Sequence, residues 1–210
     1  MNAPAKIKVV FFPFNGNAIE ALDALDFEKY DFLGFIEDNP VEKVSDWPLL
    51  KRDLLTQFPE VKVLAVPGSP ISFLKRQEII GSLQLDERRF ISVIHPNAQI
   101  GRNVKIGFNS LILAGSVITS NAIVGNHVCV LPNTVIHHDS IVEDYCLIGS
   151  NAVIAGGTKI GRNCYLGSGT TIINGISIAP FNLIGIGSNI VKSIKEQGGT
   201  WVGNPARKLK

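Results

Sequence analysis

The chain has 210 residues, 45% of them hydrophobic and only 18% charged, so it is built to bury surface and is not a disordered chain. That length sets one or two domains. A net charge of +2 with no basic block argues against a groove built on phosphate neutralisation, and hence against nucleic acid as a partner.

Residues 6–12 form an apolar run too short for the hydrophobic region of a secretory signal. The run ends in Pro13, Phe14, Asn15, Gly16 and Asn17, and a helical stretch is predicted over 18–25. A second strand-like run, 31–36, ends in Glu37, Asp38 and Asn39. A third, 61–66, ends in Pro67, Gly68, Ser69 and Pro70 and leads into a predicted helix over 71–83. Strands alternating with helices imply a small parallel, Rossmann-like α/β domain over 1–90. Such sheets bind ligands beyond the carboxyl ends of their strands, which makes Asn15, Gly16, Asn17, Glu37 and Asp38 candidate substrate-binding residues. Residues 90–97 are the expected joint.

From Ile94 to Ile190 every sixth residue is aliphatic, without a slip. Two positions earlier the residue is mostly small (Ala98, Ser110, Ser116, Ala122, Thr134, Cys146), and Gly often follows the aliphatic one. A period of six fits neither a helix nor a hairpin sheet. It fits a short flat strand and a sharp corner, repeated as a solenoid over 91–210. Residues 164–191 carry no charge, yet their Asn, Ser, Pro and Gly would strand polar groups in lipid, so this is no membrane span. Three cysteines in a chain without a signal read as reduced thiols, and the expected compartment is cytoplasmic. Cys129, one residue off the inward register, is expected to point outward. Residues 192–197 read as a short capping helix.

The chemistry-bearing candidate is His137-His138-Asp139, directly after the inward Ile136 and therefore at an outer corner. An exposed imidazole beside a carboxylate is the arrangement of a general base, since the carboxylate holds the ring in one tautomer. One coil further on, Gly156 leaves room for a ligand and frees a backbone N–H. A metal hydratase on the same solenoid needs histidines one coil apart, and neither His95 nor His127 lies one coil from His137 or His138. No metal is expected. A non-catalytic assembly scaffold stays open as a rival reading.

Five segments carry a family resemblance: 94–96 (Ile-His-Pro), 135–139 (Val-Ile-His-His-Asp), 156–161, 163–167, and 202–207 with its Val-Gly-Asn-Pro-Ala. On these the chain resembles the sugar O- and N-acyltransferases with hexapeptide repeats, in particular the bacterial nucleotide-sugar (4-amino-4,6-dideoxy sugar) N-acetyltransferases of surface-glycan synthesis. The resemblance implies a left-handed parallel β-helix with three hexads per coil, a homotrimer, and acetyl-CoA bound along the groove between subunits. It implies His138 as the base with Asp139 as its orienter, Gly156 N–H on the thioester carbonyl, Gly185 and Ile186 along the pantetheine arm, and Arg207, with Lys208 and Lys210, near the phosphates. The acceptor it implies is a nucleotide-linked amino sugar in the N-terminal domain; a sugar hydroxyl or an amino acid is the alternative. Three positions depart from the family. The loop 12–17 has one Gly and no His, and Leu131 and Leu147 stand where relatives carry an Asn and a second His.

Overall fold

Strand β1 (Ile7–Phe12) carries four consecutive buried side chains, Val9, Val10, Phe11 and Phe12. Such a run suits a parallel strand covered on both faces. In the computed structural model, which describes residues 5–39 and 46–209, β1 lies inside a four-stranded sheet. With β2 (Tyr30–Ile36), β3 (Leu49–Leu50) and β4 (Lys62–Ala65) the order is β3-β2-β1-β4, all parallel. Val9 and Phe11 pack with Ala18, Ala21 and solenoid residues, while Val10 and Phe12 pack with Leu55, Ile80 and Leu83. The helices are short: α1 (Gly16–Glu20) with a 3-10 turn to Ala24, α2 (Leu54–Gln57), and α3 (Arg76–Gly81) after a 3-10 turn. The helix expected over 71–83 starts late because Ser69 Oγ accepts from the N–H groups of Ile71 and Ser72 and holds a turn there. Strand β3 and α2 span two and four residues, too few to leave a periodic signature.

Seventeen two-residue strands, Val93–Ile94 to Asn189–Ile190, build the left-handed solenoid. They fall into three parallel sheets, and every partner is one coil away in sequence, as in Val135↔Val153 and Ile136↔Ile154. Face I runs from Val93–Ile94 to Leu183–Ile184, face II from Gln99–Ile100 to Asn189–Ile190, and face III from Lys105–Ile106 to Ser177–Ile178. The second residue of each strand points inward, and from Ile112 to Ile190 these side chains are at most 3% exposed. Ile94 and Ile100 keep the period but stand at 39%, because no coil covers the first one. Full burial of each aliphatic side chain contributes about 1.5–3 kcal/mol. At the corners the small inward hydroxyls and thiols spend their polar groups on the next coil, as Ser140 Oγ does on the Ala155 carbonyl at 3.0 Å.

The expected capping helix at 192–197 does not form. Ile194 instead adds a rung to face III, its N–H donating to Ser177 O while its carbonyl accepts from Ala179 N. Pairing of an otherwise bare sheet edge outweighs weak helical propensity there. Face I is extended by a hairpin of Thr200–Gly203 and Ala206–Lys208.

The α/β unit covers face I and the corner between faces III and I. Outward residues Leu111, Cys129 and Leu147 are buried with Phe11 and Phe35 in one apolar cluster. Cys129 does point outward, as expected, but into this joint and not into solvent. Leu147 does the same, so this position serves packing. The corner supplies polar stitches. Asn109 binds both backbone groups of Ala65, at 2.7 and 2.8 Å, and so closes the exposed edge of β4. Arg76 is fully buried and donates to the carbonyls of Pro67, Tyr145 and His127. His127 stacks on Tyr145 at 4.6 Å, and its Nδ1 lies 2.8 Å from Asn109 Nδ2.

Burial, and then the nearby Arg76 cation, push the His127 pKa down to about 4 from an ordinary 6.5. The folded state therefore holds this ring neutral while the unfolded chain protonates it. Its contribution is complete above pH 6.5 and is lost as pH falls toward 4. Between pH 7.5 and 5.0, urea unfolding at fixed protein concentration is expected to lose about 2 kcal/mol through this group. His127→Asn, which tolerates the positive φ of this corner and does not titrate, should flatten that slope; an equal slope in both proteins contradicts the assignment.

Candidate active site

The corner between faces II and III carries His138. Its backbone is fixed from both sides: His137 N–H donates to Ile154 O, Asp139 N–H to Ser120 O, and Gly157 N–H to His138 O at 2.9 Å. Asp139 takes the left-handed conformation at φ +59°, one that Asp and Asn tolerate better than most residues, and this turns the chain onto face III.

His138 and Asp139 are both exposed, and Nδ1 of the ring lies 2.7 Å from Asp139 Oδ2. The carboxylate accepts from Nδ1–H, so the neutral ring presents the Nε2 lone pair outward. Asn121 Nδ2 donates to the other oxygen, Oδ1, at 3.0 Å. These two bonds, the histidine's first, hold the Asp139 carboxyl below the usual carboxylate range.

The ring rests on Gly156. A Cβ built there would lie 2.7 Å from His138 Cε1 and Nε2, so no other residue fits under the imidazole in this position. Among the described residues the Gly156 N–H has no acceptor, whereas its carbonyl takes Gly175 N–H. In the row beside it Gly157 and Gly175 stack with 4.0 Å between a built Cβ and the next Cα, while the exposed Asn174 stands between Gly156 and Lys192 in the row of His138. A lone pair, a free N–H and an open track thus meet on one exposed corner. This set suits proton removal beside a carbonyl whose oxygen gains charge.

Gly185 and Ile186 occupy a different corner, between faces I and II. Ile186 is 79% exposed, and a side chain at Gly185 would meet Val202 Cγ1 at 2.7 Å. Arg207 lines a cleft of about 400 Å³ at the end of the solenoid with Lys192, Ser193, Trp201 and Ala206. Lys192 stands three coils after His138 on the same corner. Lys208 is paired with Glu196, and Lys210 lies outside the described residues.

The five residues predicted in the N-terminal unit do gather at the carboxyl ends of the adjacent strands β1 and β2. Their side chains are partly committed. Asn15 caps α1 through Ala18 N–H at 2.9 Å and donates to Val66 O at 3.1 Å. Asp38 is ion-paired with Arg52 at 2.7 Å, and Glu37 accepts from Asn39 N–H. Gly16 is exposed with open space around it, and Asn17 is half-buried. The unit sits on face I, opposite the corner that carries His138. Within one chain the two sets do not meet.

Sequence reading missed Asn121, Asn103, Lys192 and Arg76. For the first three, counting whole coils from His138 and Asp139 would have found them. Arg76 left no signal, because its partners are backbone carbonyls. Gly156→Ala is expected to keep the fold and to shift the His138 ring proton resonances while those of His95 stay in place. Unmoved His138 resonances contradict the contact.

A family model for the bacterial transferase hexapeptide (six repeats) matches residues 103–138 and 139–174. A search of curated proteins finds no match. Among solved structures, the acetyltransferase domain of PglB from Neisseria gonorrhoeae FA1090 in complex with acetyl coenzyme A superposes with a TM-score of 0.83. The identity is 21%, over 98% of this chain and 100% of that one. PerB from Caulobacter crescentus, in complex with CoA and GDP-perosamine, gives 0.84 at 20% identity over 100% of both chains. WeeI from Acinetobacter baumannii AYE gives 0.79 at 23% identity, over 98% and 100%. The chain thus carries bacterial transferase hexapeptide repeats within a fold that it shares, end to end, with these three proteins.

Proposed function

We propose that the chain is an acetyl-CoA-dependent N-acetyltransferase that acts on a nucleotide-linked amino sugar and works as a homotrimer. The observation that carries this reading is the His138 ring, held by Asp139 through Nδ1 and resting on the side-chain-free Gly156. The fold shared with proteins solved with acetyl coenzyme A, CoA and GDP-perosamine supports the donor and the class of acceptor.

In this mechanism His138 Nε2 accepts the proton as the acceptor amine attacks the thioester carbonyl. Asp139 keeps that nitrogen free and stabilises the imidazolium that forms. Gly156 N–H donates to the oxygen that gains charge, and His138 then returns its proton to the leaving thiolate. The attack is direct, and Cys129, Cys146 and Cys164, all buried, take no part.

Three coils separate His138 from Lys192, about 14 Å at the usual strand spacing. The strip of Gly157 and Gly175 beside the row that joins them suits an extended donor arm, with Lys192 and Arg207 at its phosphate end. Gly185 and Ile186 reach the same donor from a neighbouring copy. Face II presents Val117, Val135 and Val153 outward in one stack, whereas face III carries Lys105 and Lys159. With face I covered, packing around a threefold axis on face II brings the II/III corner of one copy to the I/II corner of the next. The acceptor end then comes from a neighbour's α/β unit, near Asn15, Gly16, Asn17, Glu37 and Asp38.

Free-thiol release from acetyl-CoA, measured with UDP-, dTDP- and GDP-linked amino sugars and their hydroxyl twins, tests the reading. Release with an amino sugar and silence from its twin is expected. His138→Ala should lower turnover by roughly 10²–10⁴, and His137→Ala much less. Equal losses in the two variants mean the base is misassigned, and release only with hydroxyl sugars moves the acceptor class.

A further inference from the structure

The II/III corner repeats one backbone conformation once per coil: Asn103 at φ +58°, Asn121 at +62° and Asp139 at +59°. Asn is common at such positions because its short amide tolerates them, so the residue type alone says nothing. Asn133 and Asn151, stacked in the same way on the I/II corner, exchange no side-chain hydrogen bond. On the II/III corner the side chains are joined. Asn103 Nδ2 donates to Asn121 Oδ1 at 3.2 Å, Asn121 Nδ2 donates to Asp139 Oδ1 at 3.0 Å, and Asp139 Oδ2 takes His138 Nδ1 at 2.7 Å.

We infer that Asn121, itself oriented by Asn103, is a positioning residue for the proton-transfer pair and fixes the plane of the Asp139 carboxylate so that His138 keeps its Nε2 lone pair outward, above Gly156. The inference rests on the reading of His138 as the base. The physical need is plain. Asp139 and His138 are both exposed, and a carboxylate held by one bond in water rotates about its last torsion. A second, amide donor on the far oxygen removes that freedom and leaves Oδ2 directed at the ring. Polarity matters as much as presence. Asn103 Nδ2 faces Asn121 Oδ1, which places the Asn121 Nδ2 donor, and not its oxygen, against the carboxylate. The chain of donors therefore runs in one direction, from Asn103 to Asp139, and ends on the atom pair that selects the histidine tautomer.

The test compares Asn121→Gly, which keeps the left-handed backbone and removes the donor, with Asn121→Asp, which keeps the shape and turns donor into acceptor. Asn151→Gly is the matching corner change on the other edge. Histidine tautomer and titration are read by nitrogen-resolved NMR on the full-length protein, together with Tm and turnover. Asn121→Gly is expected to reduce the Nδ1–H tautomer of His138 and to lower kcat about 3- to 10-fold with little change in KM for acetyl-CoA. Asn121→Asp should move the acid limb of kcat/KM to higher pH. Asn151→Gly should change Tm as much as Asn121→Gly does and leave the His138 resonances unmoved. If Asn121→Gly leaves tautomer and titration as in the parent, the positioning role is overturned, whatever its Tm. If the tautomer shifts while turnover holds, the ladder stands and the assignment of His138 as base fails.

Discussion

A column of aliphatic side chains inside the solenoid holds its coils in register. Each rung is only two residues long, far below what an isolated strand needs, so no coil is stable without its neighbours. The inward Ile, Val and Leu positions fix the register, and a slip of one residue would turn them to solvent. Once that register is set, every corner residue is placed relative to those one coil away. The contact of His138 with Gly156 is thus a consequence of stacking, as is the alignment of Asn103, Asn121 and Asp139.

Face I is consumed by the α/β unit, and the manner of docking explains which surfaces remain. The joint joins an apolar cluster to buried polar groups whose bonds are mostly to backbone carbonyls. Arg76, without a carboxylate partner among the described residues, is neutralised by no counter-charge and is held by dipoles. A buried guanidinium of this kind tolerates little rearrangement, because each lost carbonyl leaves a charge-bearing donor unsatisfied. The unit is therefore fixed on face I, away from His138. Sharing of one site by these two parts requires a second copy.

The solenoid was legible in the sequence because its signal is strictly periodic and repeated seventeen times. The corner position of His138 and the empty place at Gly156 followed from the same count. The α/β unit was read less completely, since β3 and α2 are too short for a period and the turn held by Ser69 delays the third helix. Cys129 was outward by register, yet only the docked unit shows that outward here means buried. Ile194 shows the opposite error, a helical-looking stretch claimed by an unpaired sheet edge. The polar joint was not legible, because Arg76, Asn109 and Asn163 bind backbone atoms remote in sequence, which leave no residue pattern.

Mixing two inactive variants tests whether one copy supplies His138 while the next completes the site. His138→Ala removes the base, and Ile186→Glu blocks the facing corner. Trimers reassembled from equal amounts of both contain intact sites at about one interface in four by random assortment, given the closed threefold symmetry. Recovery of roughly that share of thiol release is expected on mixing. Mixed trimers that stay silent, with the parent protein carried through the same treatment fully active, would contradict it.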